Sequence, residues 1–359
     1  VLRLAGINES TPNPEGGTIQ RDEAGRATGI LFEDAMQLVY RLTPSPRASE
    51  IVDAMRDAQK EAWKLGLTGI HDYDGQTAFE AMQILHEEGE LGLRILKNVN
   101  DPDISHAHGL RVRFGFGDEW LRIGALKMFA DGALGAVTAL MIEPYDSDPD
   151  NHGIRVMPKQ QMLEFALEAT RYGFPSTIHA IGDLAVRDVL DVLEEVRREE
   201  QRLGIPPAQR RHRIEHVQCV HPDDLHRLGE LGIIASFQPI HQTADIDMVD
   251  KHWGARGRHA YDYPTQVKHG AVLAFGSDSP VETMDPILGI HAAVTRRRGD
   301  GYPGPEGWYP ENRITVEQAV CAYTQGAAVA AKREHELGTV KSGYFADLTV
   351  LDTDIFEIE

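Results

Sequence analysis

The sequence of 359 residues repeats one unit along most of its length, an amphipathic helical segment followed by a short apolar strand. Residues 49–65, for example, place Ile51, Met55 and Ala58 on one helical face, and a buried strand is predicted directly after them at 66–74. Six further strands are predicted at 93–99, 121–132, 175–183, 211–220, 233–239 and 271–280. Because strands that alternate with helices pair in parallel, the seven units predict an α/β fold.

Two α/β architectures alternate strands and helices in this way, the doubly wound sheet and the TIM-type (β/α)8 barrel. A dinucleotide-binding doubly wound sheet is expected to carry a G-x-G-x-x-G turn that opens a helix after its first strand, and no such turn occurs here. In a barrel, polar side chains collect at the C-terminal ends of several strands, where the active site is built. The sequence shows that distribution and predicts a (β/α)8 barrel, one strand short of eight.

Five polar residues stand at the ends of predicted strands, each at the close of an apolar run: His71, Lys127, His179, His216 and Asp278. A single histidine at such a position is more often a packed core residue than a ligand. Imidazole and carboxylate are, however, common ligands of zinc, and a barrel brings strand ends that are distant in sequence to one edge. Five such residues in register therefore favour a divalent-metal centre.

Lys127 is the least expected member of this set. It lies near the end of the apolar run in LKMFADGALG, where a buried ammonium group is costly unless it is paired, neutralised or chemically modified. Either the strand register places Lys127 in the interior without a function, or Lys127 is a functional residue of the site.

Five segments of the sequence together resemble the amidohydrolase superfamily, in particular its amidohydrolase-3 branch of YtcJ-like metal-dependent hydrolases. They are LKMFADGALG (126–135), IHAIGD (178–183), RIEH (213–216), FGSDSP (275–280) and LGTVKSGYFADLTVLD (337–352). The resemblance covers essentially the whole chain. It implies a TIM-type barrel with a small β-sandwich beside it, and hydrolysis that uses one or two divalent ions, with zinc as the expected metal.

The resemblance also implies roles for four residues. Lys127 matches the strand-four lysine that many members carboxylate, so that the carbamate bridges two metals. His179 and His216 match the ligands of the second metal. Asp278 matches the strand-eight aspartate, which ligates the first metal and accepts a proton from the attacking water. The local sequence SDSP leaves an alternative for Asp278, the N-cap of a following helix.

Three further residues are candidates for substrate contact or for support of the ligands. Asp131 could orient the lysine loop or pair with a histidine, or it could simply form the turn before Gly132. His241 follows the seventh barrel strand and could touch substrate, and His71 could line the pocket.

The sequence departs from the family near its start. Members carry a His-x-His pair at the end of the first barrel strand, whereas the His-x-His pair of this chain, in ISHAHG, falls in a predicted loop. The resemblance therefore implies that the first strand, its two ligands and most of the β-sandwich precede residue 1. On this interpretation residues 1–47 lead into the second barrel strand, 48–335 form the barrel, and 336–359 contribute two strands, GTV and ADLTVLD, to the sandwich.

The charge and the cysteine content limit the expected partners and compartment. With 36 basic and 56 acidic residues the net charge is −20, so neither nucleic acid nor an anionic membrane is an expected partner. Two cysteines are too few for a disulfide framework and fit a cytoplasmic location, while the absence of an initial Met leaves an export signal open. The resemblance implies a homodimer.

Two long segments, 135–153 and 240–264, are predicted as loops that cover the site, because loops of this length are usually functional or disordered. Tyr145, Trp253 and Arg258 within them are candidates for binding an aryl or acidic group of the substrate.

The residues and the resemblance together predict a hydrolase that cleaves an amide or another C–N bond of a small molecule with metal-activated water. An ester or phosphoester hydrolase on the same barrel would use the same metals and stays open, as does a truncated or degenerate barrel without catalysis. The presence of the lysine, both histidines and the aspartate favours an enzyme.

Overall fold

The N-terminal region forms a small hairpin in the computed structural model, which describes residues 1–44 and 46–357. Strands β1 (Gly17–Arg21) and β2 (Ala27–Glu33) pair in antiparallel fashion, and a short helix α1 (Gln37–Tyr40) follows. The region that was predicted only to connect to the barrel therefore contains a two-stranded sheet of its own.

The seven predicted barrel strands form one parallel sheet, in which neighbouring strands follow the order of the chain. They are β3 (Gly69–Asp72), β4 (Arg94–Asn100), β5 (Leu121–Phe129), β6 (Ser176–Ala180), β7 (Arg213–His216), β8 (Ile234–Phe237) and β9 (Leu273–Phe275). The further helices are α2 (Ala48–Lys64), α3 (Gln76–Glu87), α4 (Ile104–Gly109), α5 (Lys159–Tyr172), α6 (Asp183–Arg202), α7 (Arg227–Leu231), α8 (Pro239–His252), α9 (Tyr263–Lys268), α10 (Pro286–Thr295), α11 (Val316–Cys321) and α12 (Ala327–Ala330). The predicted alternation of strands and helices is confirmed.

The sheet is strongly curled. Contacts between the side chains of β3 and β7 inside it show this. Arg213 in β7 donates from Nη1 to Nδ1 of His71 in β3 at 2.7 Å, and the hydroxyl of Tyr73, just beyond β3, donates to Oε1 of Glu215 at 2.7 Å. Four strand spacings of about 4.8 Å separate β3 from β7, so these residues would lie about 19 Å apart in a flat sheet. The seven strands therefore bend into a TIM-like half-barrel.

Helices cover the outer face of the sheet, and the main hydrophobic core lies between them and the strands. Val186, Val189, Leu190 and Leu193 recur at helical spacing in α6 and are fully buried in this core. Removal of each such side chain from water stabilises the fold by roughly 1.5–3 kcal/mol. Within the described part of the chain, no helix is both long enough and apolar enough to cross a bilayer.

The histidine pair of ISHAHG lies in a helix and not in the predicted loop. His106 and His108 belong to α4, and the ring of His108 stacks on Tyr172 with centres 4.2 Å apart. His108 Nδ1 also lies 3.2 Å from Glu168 Oε1 of α5. His108 therefore packs against the helical layer, whereas His106 is exposed.

The two segments that were predicted as covering loops are largely packed, although residues 146–150 are exposed. Residues 240–252 belong to α8, so the second segment is largely helical and the loop prediction was wrong there. Tyr145 and Trp253 are 1% and 0% exposed, which leaves them no surface for a substrate. Arg256 donates to the backbone carbonyls of Glu143 and Pro144 and so clamps the first segment onto the end of α8.

The two predicted C-terminal strands are absent from the described residues 336–357. This segment holds to the half-barrel through side chains, since Arg94 Nε donates to Asp347 Oδ2 at 2.5 Å and Thr349 Oγ1 donates to the Gly66 carbonyl at 2.6 Å. A strand exists only where a neighbouring strand pairs with its backbone, and alternation of side chains alone does not provide one. The predicted β-sandwich is therefore not formed by these residues.

A buried histidine–carboxylate pair fastens the start of β7 to α6. His212 Nδ1 accepts from the Ser176 amide at 2.9 Å, so the ring proton sits on Nε2, which donates to Glu200 Oε1 at 2.9 Å. Burial lowers the pKa of His212. Burial alone would raise the pKa of Glu200, but the hydrogen bond from His212 and the charge of Arg197 lower it. The folded state thus holds a neutral imidazole beside an ionised carboxylate.

We expect the free energy of unfolding to fall as the pH drops below about 6.5, the ordinary pKa of histidine in an unfolded chain. Below that pH the unfolded chain takes up a proton at His212, whereas the folded chain, with its lowered pKa, does not. In urea denaturation at about pH 7.5 and about pH 5.5, His212→Gln should therefore show a smaller pH dependence than the wild type. The variant His226→Gln, at a half-buried position, should keep the wild-type dependence. An unchanged dependence in His212→Gln would contradict the prediction.

Candidate metal centre

Predicted site residues from five successive strand-and-helix units converge at the C-terminal edge of the sheet. Lys127 lies near the end of β5, His179 is the second-last residue of β6, and His216 is the last residue of β7. His241 lies in the first turn of α8, directly after β8, and Asp278 follows β9 by three residues. Because the strands are parallel, their C-terminal ends meet at one edge.

Three of these residues form a compact set of potential ligands. His216, His241 and Asp278 each offer one ligand atom, and these atoms lie within 4.8 Å of one another. The rings of His216 and His241 are stacked with centres 6.0 Å apart, and His241 Nε2 lies 3.9 Å from Asp278 Oδ2. His241, which was predicted to contact substrate or support the ligands, therefore stands inside the ligand cluster.

The cluster fits a divalent metal ion. Within the described residues, His216 Nδ1 and His241 Nε2 are buried without a hydrogen-bond partner, a situation that costs about 1–3 kcal/mol unless a ligand satisfies the atom. Burial holds the pKa of His216 well below its ordinary value, so this imidazole is neutral, the form that binds metal. Two imidazoles and a carboxylate are the donor types that zinc prefers.

His179 stands beside the cluster with one ring nitrogen already oriented. Its ring centre is 4.4 Å from that of His216. Its Nε2 lies 2.9 Å from the carbonyl oxygen of Gly132, which can only accept, so Nε2 carries the ring proton. Burial and the neighbouring Lys127 lower the pKa of His179 to about 3. Nδ1 therefore keeps a lone pair that is available to a metal.

Lys127 is 4% exposed, and its amine lies close to two aromatic rings. Its Nζ is 4.3 Å from the ring centre of Phe129 and 4.9 Å from that of Tyr73. Burial lowers the pKa of Lys127 to about 8, against the opposing influence of the Glu215 and Asp278 carboxylates. The amine is thus closer to its neutral, nucleophilic form than a solvated lysine is.

The backbone is strained at two of the ligand positions. His216 has φ of 75°, the following Val217 has φ of 46°, and Asp278 has φ of 56°. Each non-glycine residue in this left-handed region costs about 1–3 kcal/mol and persists only where the surroundings hold it. Such conformations cluster at functional sites, and here they occur where the chain leaves β7 and where the loop after β9 presents its carboxylate.

A model of the amidohydrolase family matches residues 1–359. The chain belongs to the amidohydrolase family. The putative amidohydrolase YtcJ of Bacillus subtilis (strain 168) is 33% identical over 367 residues, which cover 100% of this chain and 67% of that protein. The protein LONG AFTER FAR-RED 3 of Arabidopsis thaliana is 33% identical over 372 residues, with 99% of this chain and 62% of that protein covered. The N-substituted formamide deformylase of Arthrobacter pascens is 27% identical over 375 residues, with 98% and 65% covered.

This amidohydrolase chain thus spans 62% to 67% of the length of these three relatives. Among solved structures, an uncharacterized metal-dependent hydrolase from Pyrococcus furiosus is similar with a TM-score of 0.80 and 29% identity, over 99% of this chain and 69% of that one. Another from Pyrococcus horikoshii OT3 has a TM-score of 0.81 and 27% identity with the same coverage. The predicted family is confirmed, and the predicted barrel is confirmed as a seven-stranded TIM-like half-barrel.

Asp131 anchors the loop that follows β5 in this amidohydrolase. Its Oδ2 accepts from the backbone N–H groups of Leu140 and Gly182, each at 2.9 Å, and its Oδ1 accepts from that of Ile181 at 3.1 Å. Oδ1 also lies 3.5 Å from His179 Nε2. Burial raises the pKa of Asp131 to about 7, against the three amide bonds, which favour the carboxylate. Asp131 therefore ties the end of β5 to the end of β6, next to a candidate ligand.

His71 is not part of the ligand cluster. Its Nδ1 accepts from Arg213 Nη1 at 2.7 Å, and burial lowers the pKa of His71 to about 3. The other predicted side chains meet at the edge of the sheet, whereas His71 is engaged by the arginine.

Four residues inside the half-barrel were not predicted as parts of the site: Tyr73, Thr177, Arg213 and Glu215. Thr177 pairs with Arg213 and His179 pairs with Glu215 in the parallel register, so these side chains share the inner face. Burial alone would raise the pKa of Glu215, but Arg213 and Lys127 lower it to about 2. A signal for Arg213 and Glu215 was present in RIEH, where these two charged residues alternate with an apolar one in a buried strand.

Asp131→Asn is expected to lower the free energy of unfolding by about 2 kcal/mol, because the amide nitrogen would face a backbone N–H and leave that donor unpaired. Urea denaturation checks this value. Asp150→Asn is the control, since Asp150 is an exposed aspartate in the same connection between β5 and α5 and should leave stability unchanged. Equal stabilities of the two variants would show that the three amide contacts do not anchor the loop.

Proposed function

We propose that the protein is a metal-dependent hydrolase that cleaves amides or related C–N bonds of small molecules. The observation that carries the proposal is the cluster of His216, His241 and Asp278 beside Lys127 and His179, at the edge of the sheet where barrel enzymes build their active sites. Membership of the amidohydrolase family supports hydrolysis. The name of one relative, N-substituted formamide deformylase, supports a C–N substrate.

In this proposal His216, His241 and Asp278 hold one divalent ion, which is zinc by its preference for imidazole and carboxylate donors. Lys127, once carboxylated, and His179 offer further ligands beside it for a second ion. When bound, the metal supplies a Lewis acid that polarises the scissile carbonyl group and makes a water molecule acidic near neutral pH.

Asp278 is the proposed proton carrier. Its side chain keeps 42% of its surface exposed, so it is open to water and substrate on one side while His241 lies on the other. The carboxylate accepts a proton from the attacking water as the water oxygen bonds to the carbonyl carbon. It then donates that proton to the nitrogen as the C–N bond breaks, so the amine leaves in neutral form.

Lys127 supplies the proposed bridging ligand after carboxylation. The neutral amine attacks the carbon of carbon dioxide, a C–N bond forms, and a proton leaves to solvent, which yields a carbamate anion. This change replaces a buried cation by an anion that divalent cations stabilise, and so resolves the cost of a lysine at this position. The rings of Tyr73 and Phe129 lie close to Nζ, which is buried.

His241→Ala should weaken zinc binding by at least about 100-fold, because it removes a ligand and not merely a supporting contact. Competition between the protein and a chromophoric chelator measures this affinity. His226→Ala is the matched control, since this half-buried histidine lies away from the edge of the sheet, and it should bind zinc as the wild type does. Wild-type affinity in His241→Ala would remove His241 from the ligand set.

Zinc-loaded protein should hydrolyse N-substituted formamides, and Lys127→Ala should abolish this activity. Lys127→Arg keeps a positive charge but cannot form a carbamate, so it should be inactive as well. The assay compares a formamide with the formate ester of the same substituent, each relative to its uncatalysed rate. Hydrolysis of the ester alone would overturn the C–N assignment, and full activity of Lys127→Ala would overturn the bridging role.

A further inference from the structure

A hydrogen-bonded network crosses the interior of the half-barrel directly beneath the ligand cluster. Arg213 Nη2 donates to the Tyr73 hydroxyl at 2.6 Å, and this hydroxyl donates to Glu215 Oε1 at 2.7 Å. Arg213 Nε donates to Thr177 Oγ1 at 3.0 Å, and Thr177 Oγ1 donates to the same Glu215 oxygen at 2.6 Å. With His71 on Arg213 Nη1, the network joins β3, β6 and β7.

The network is too costly to be explained as ordinary core packing. Arg213 and Glu215 are 3% and 4% exposed, and well-packed apolar residues of similar volume often stabilise a fold as well as a buried ion pair does. Each of the three guanidinium nitrogens of Arg213 donates a hydrogen bond within the network, to Thr177, His71 and Tyr73. Its directed bonds fix the positions of its neighbours.

Tyr73 is the member of the network that reaches the metal centre. Its hydroxyl is held by Arg213 and Glu215, while its ring centre lies 4.9 Å from Lys127 Nζ. The ring centre of Phe129 also lies near the amine, at 4.3 Å. A lysine side chain loses rotamer entropy when it is held in one conformation, so a bridging lysine needs contacts of this kind.

We propose that Tyr73 is a positioning residue that holds the amine of Lys127 at the metal centre, with its own hydroxyl fixed by Arg213 and Glu215. This inference rests on the proposed function, since it assigns Tyr73 to the same site. The ring restricts where Nζ can lie, and the two hydrogen bonds restrict where the ring can lie. Tyr73 does not touch the reacting atoms.

The two parts of Tyr73 can be removed separately. Tyr73→Phe keeps the ring and loses both hydroxyl contacts, while Arg213 and Glu215 keep their bonds to Thr177. Tyr73→Leu also removes the ring face beside Nζ. Tyr344→Phe is the control, because it deletes a part-buried tyrosine hydroxyl that donates to the Glu334 carbonyl in the C-terminal segment, away from the site.

Zinc affinity, measured by chelator competition, should be about 10-fold weaker in Tyr73→Phe and about 100-fold weaker in Tyr73→Leu, the range found for residues that support metal ligands. Tyr344→Phe should bind zinc as the wild type does. In the zinc-loaded enzyme, Tyr73→Phe should lower kcat with little change in KM, because the hydroxyl orients a ligand and does not bind substrate. Wild-type zinc affinity in Tyr73→Phe would overturn the proposal.

Crystal structures of the metal-free proteins give a second measurement, which needs neither zinc nor substrate. Lys127 Nζ should move by about 1 Å or more in the Tyr73 variants, a displacement large enough to impair a catalytic centre. An unmoved Nζ would overturn the positioning role even if activity falls. Failure of zinc-loaded wild type to hydrolyse any substrate would overturn the proposed function alone, because zinc affinity and the position of Nζ are read without catalysis.

Discussion

The guanidinium group of Arg213 makes the interaction on which the rest of the structure depends. It is buried inside the sheet and donates to Thr177, His71 and Tyr73, so it joins β7 to its neighbour β6 and to β3 on the far side. A buried arginine costs several kcal/mol unless its donors are satisfied. Only a curled sheet brings these acceptors to it, so the charge is tolerated in the half-barrel and not in a flat sheet. The same curl brings the C-terminal ends of β5 to β9, and with them the ligand cluster, together at one edge of the sheet.

The C-terminal edge of the sheet combines features that lower the stability of the folded state. His216 and Asp278 have left-handed backbones, Lys127 is a buried amine, and imidazole nitrogens at His216 and His241 lie without hydrogen-bond partners among the described residues. The stabilisation that offsets these costs comes from the opposite face of the sheet, where fully buried side chains of α6 and the strands form the main core. A rigid outer layer thus supports an inner edge whose polar groups are oriented before any ligand binds, which is the arrangement that metal binding requires.

Much of the fold could be predicted from local patterns, and the failures have identifiable causes. The apolar runs and helical faces predicted all seven parallel strands. The segment that became α8 was misjudged because its buried face includes the polar residues Gln242 and His252, so the sequence shows no continuous apolar stripe. The alternation near residue 348 predicted a strand, yet a strand needs a paired neighbour, and the described chain provides none there. Of the candidate site, the predicted residues at the ends of β5, β6 and β7 and after β9 do converge. His241 lies within the cluster of potential ligands, whereas the sequence indicated only a residue that touches substrate.

The sequence by itself determined the order of strands and helices, the parallel sheet, and the placement of Lys127, His179 and His216 near strand ends. These are properties of short segments and of their succession along the chain, and periodicity reports them directly. The tertiary structure alone decided that His241 joins His216 and Asp278, that His71 turns to Arg213, and that Tyr73 reaches from β3 to Glu215 and Lys127. Those contacts join residues up to about 140 positions apart, and whether they form depends on the curl of the sheet, which is set by packing and buried charge and not by any local pattern.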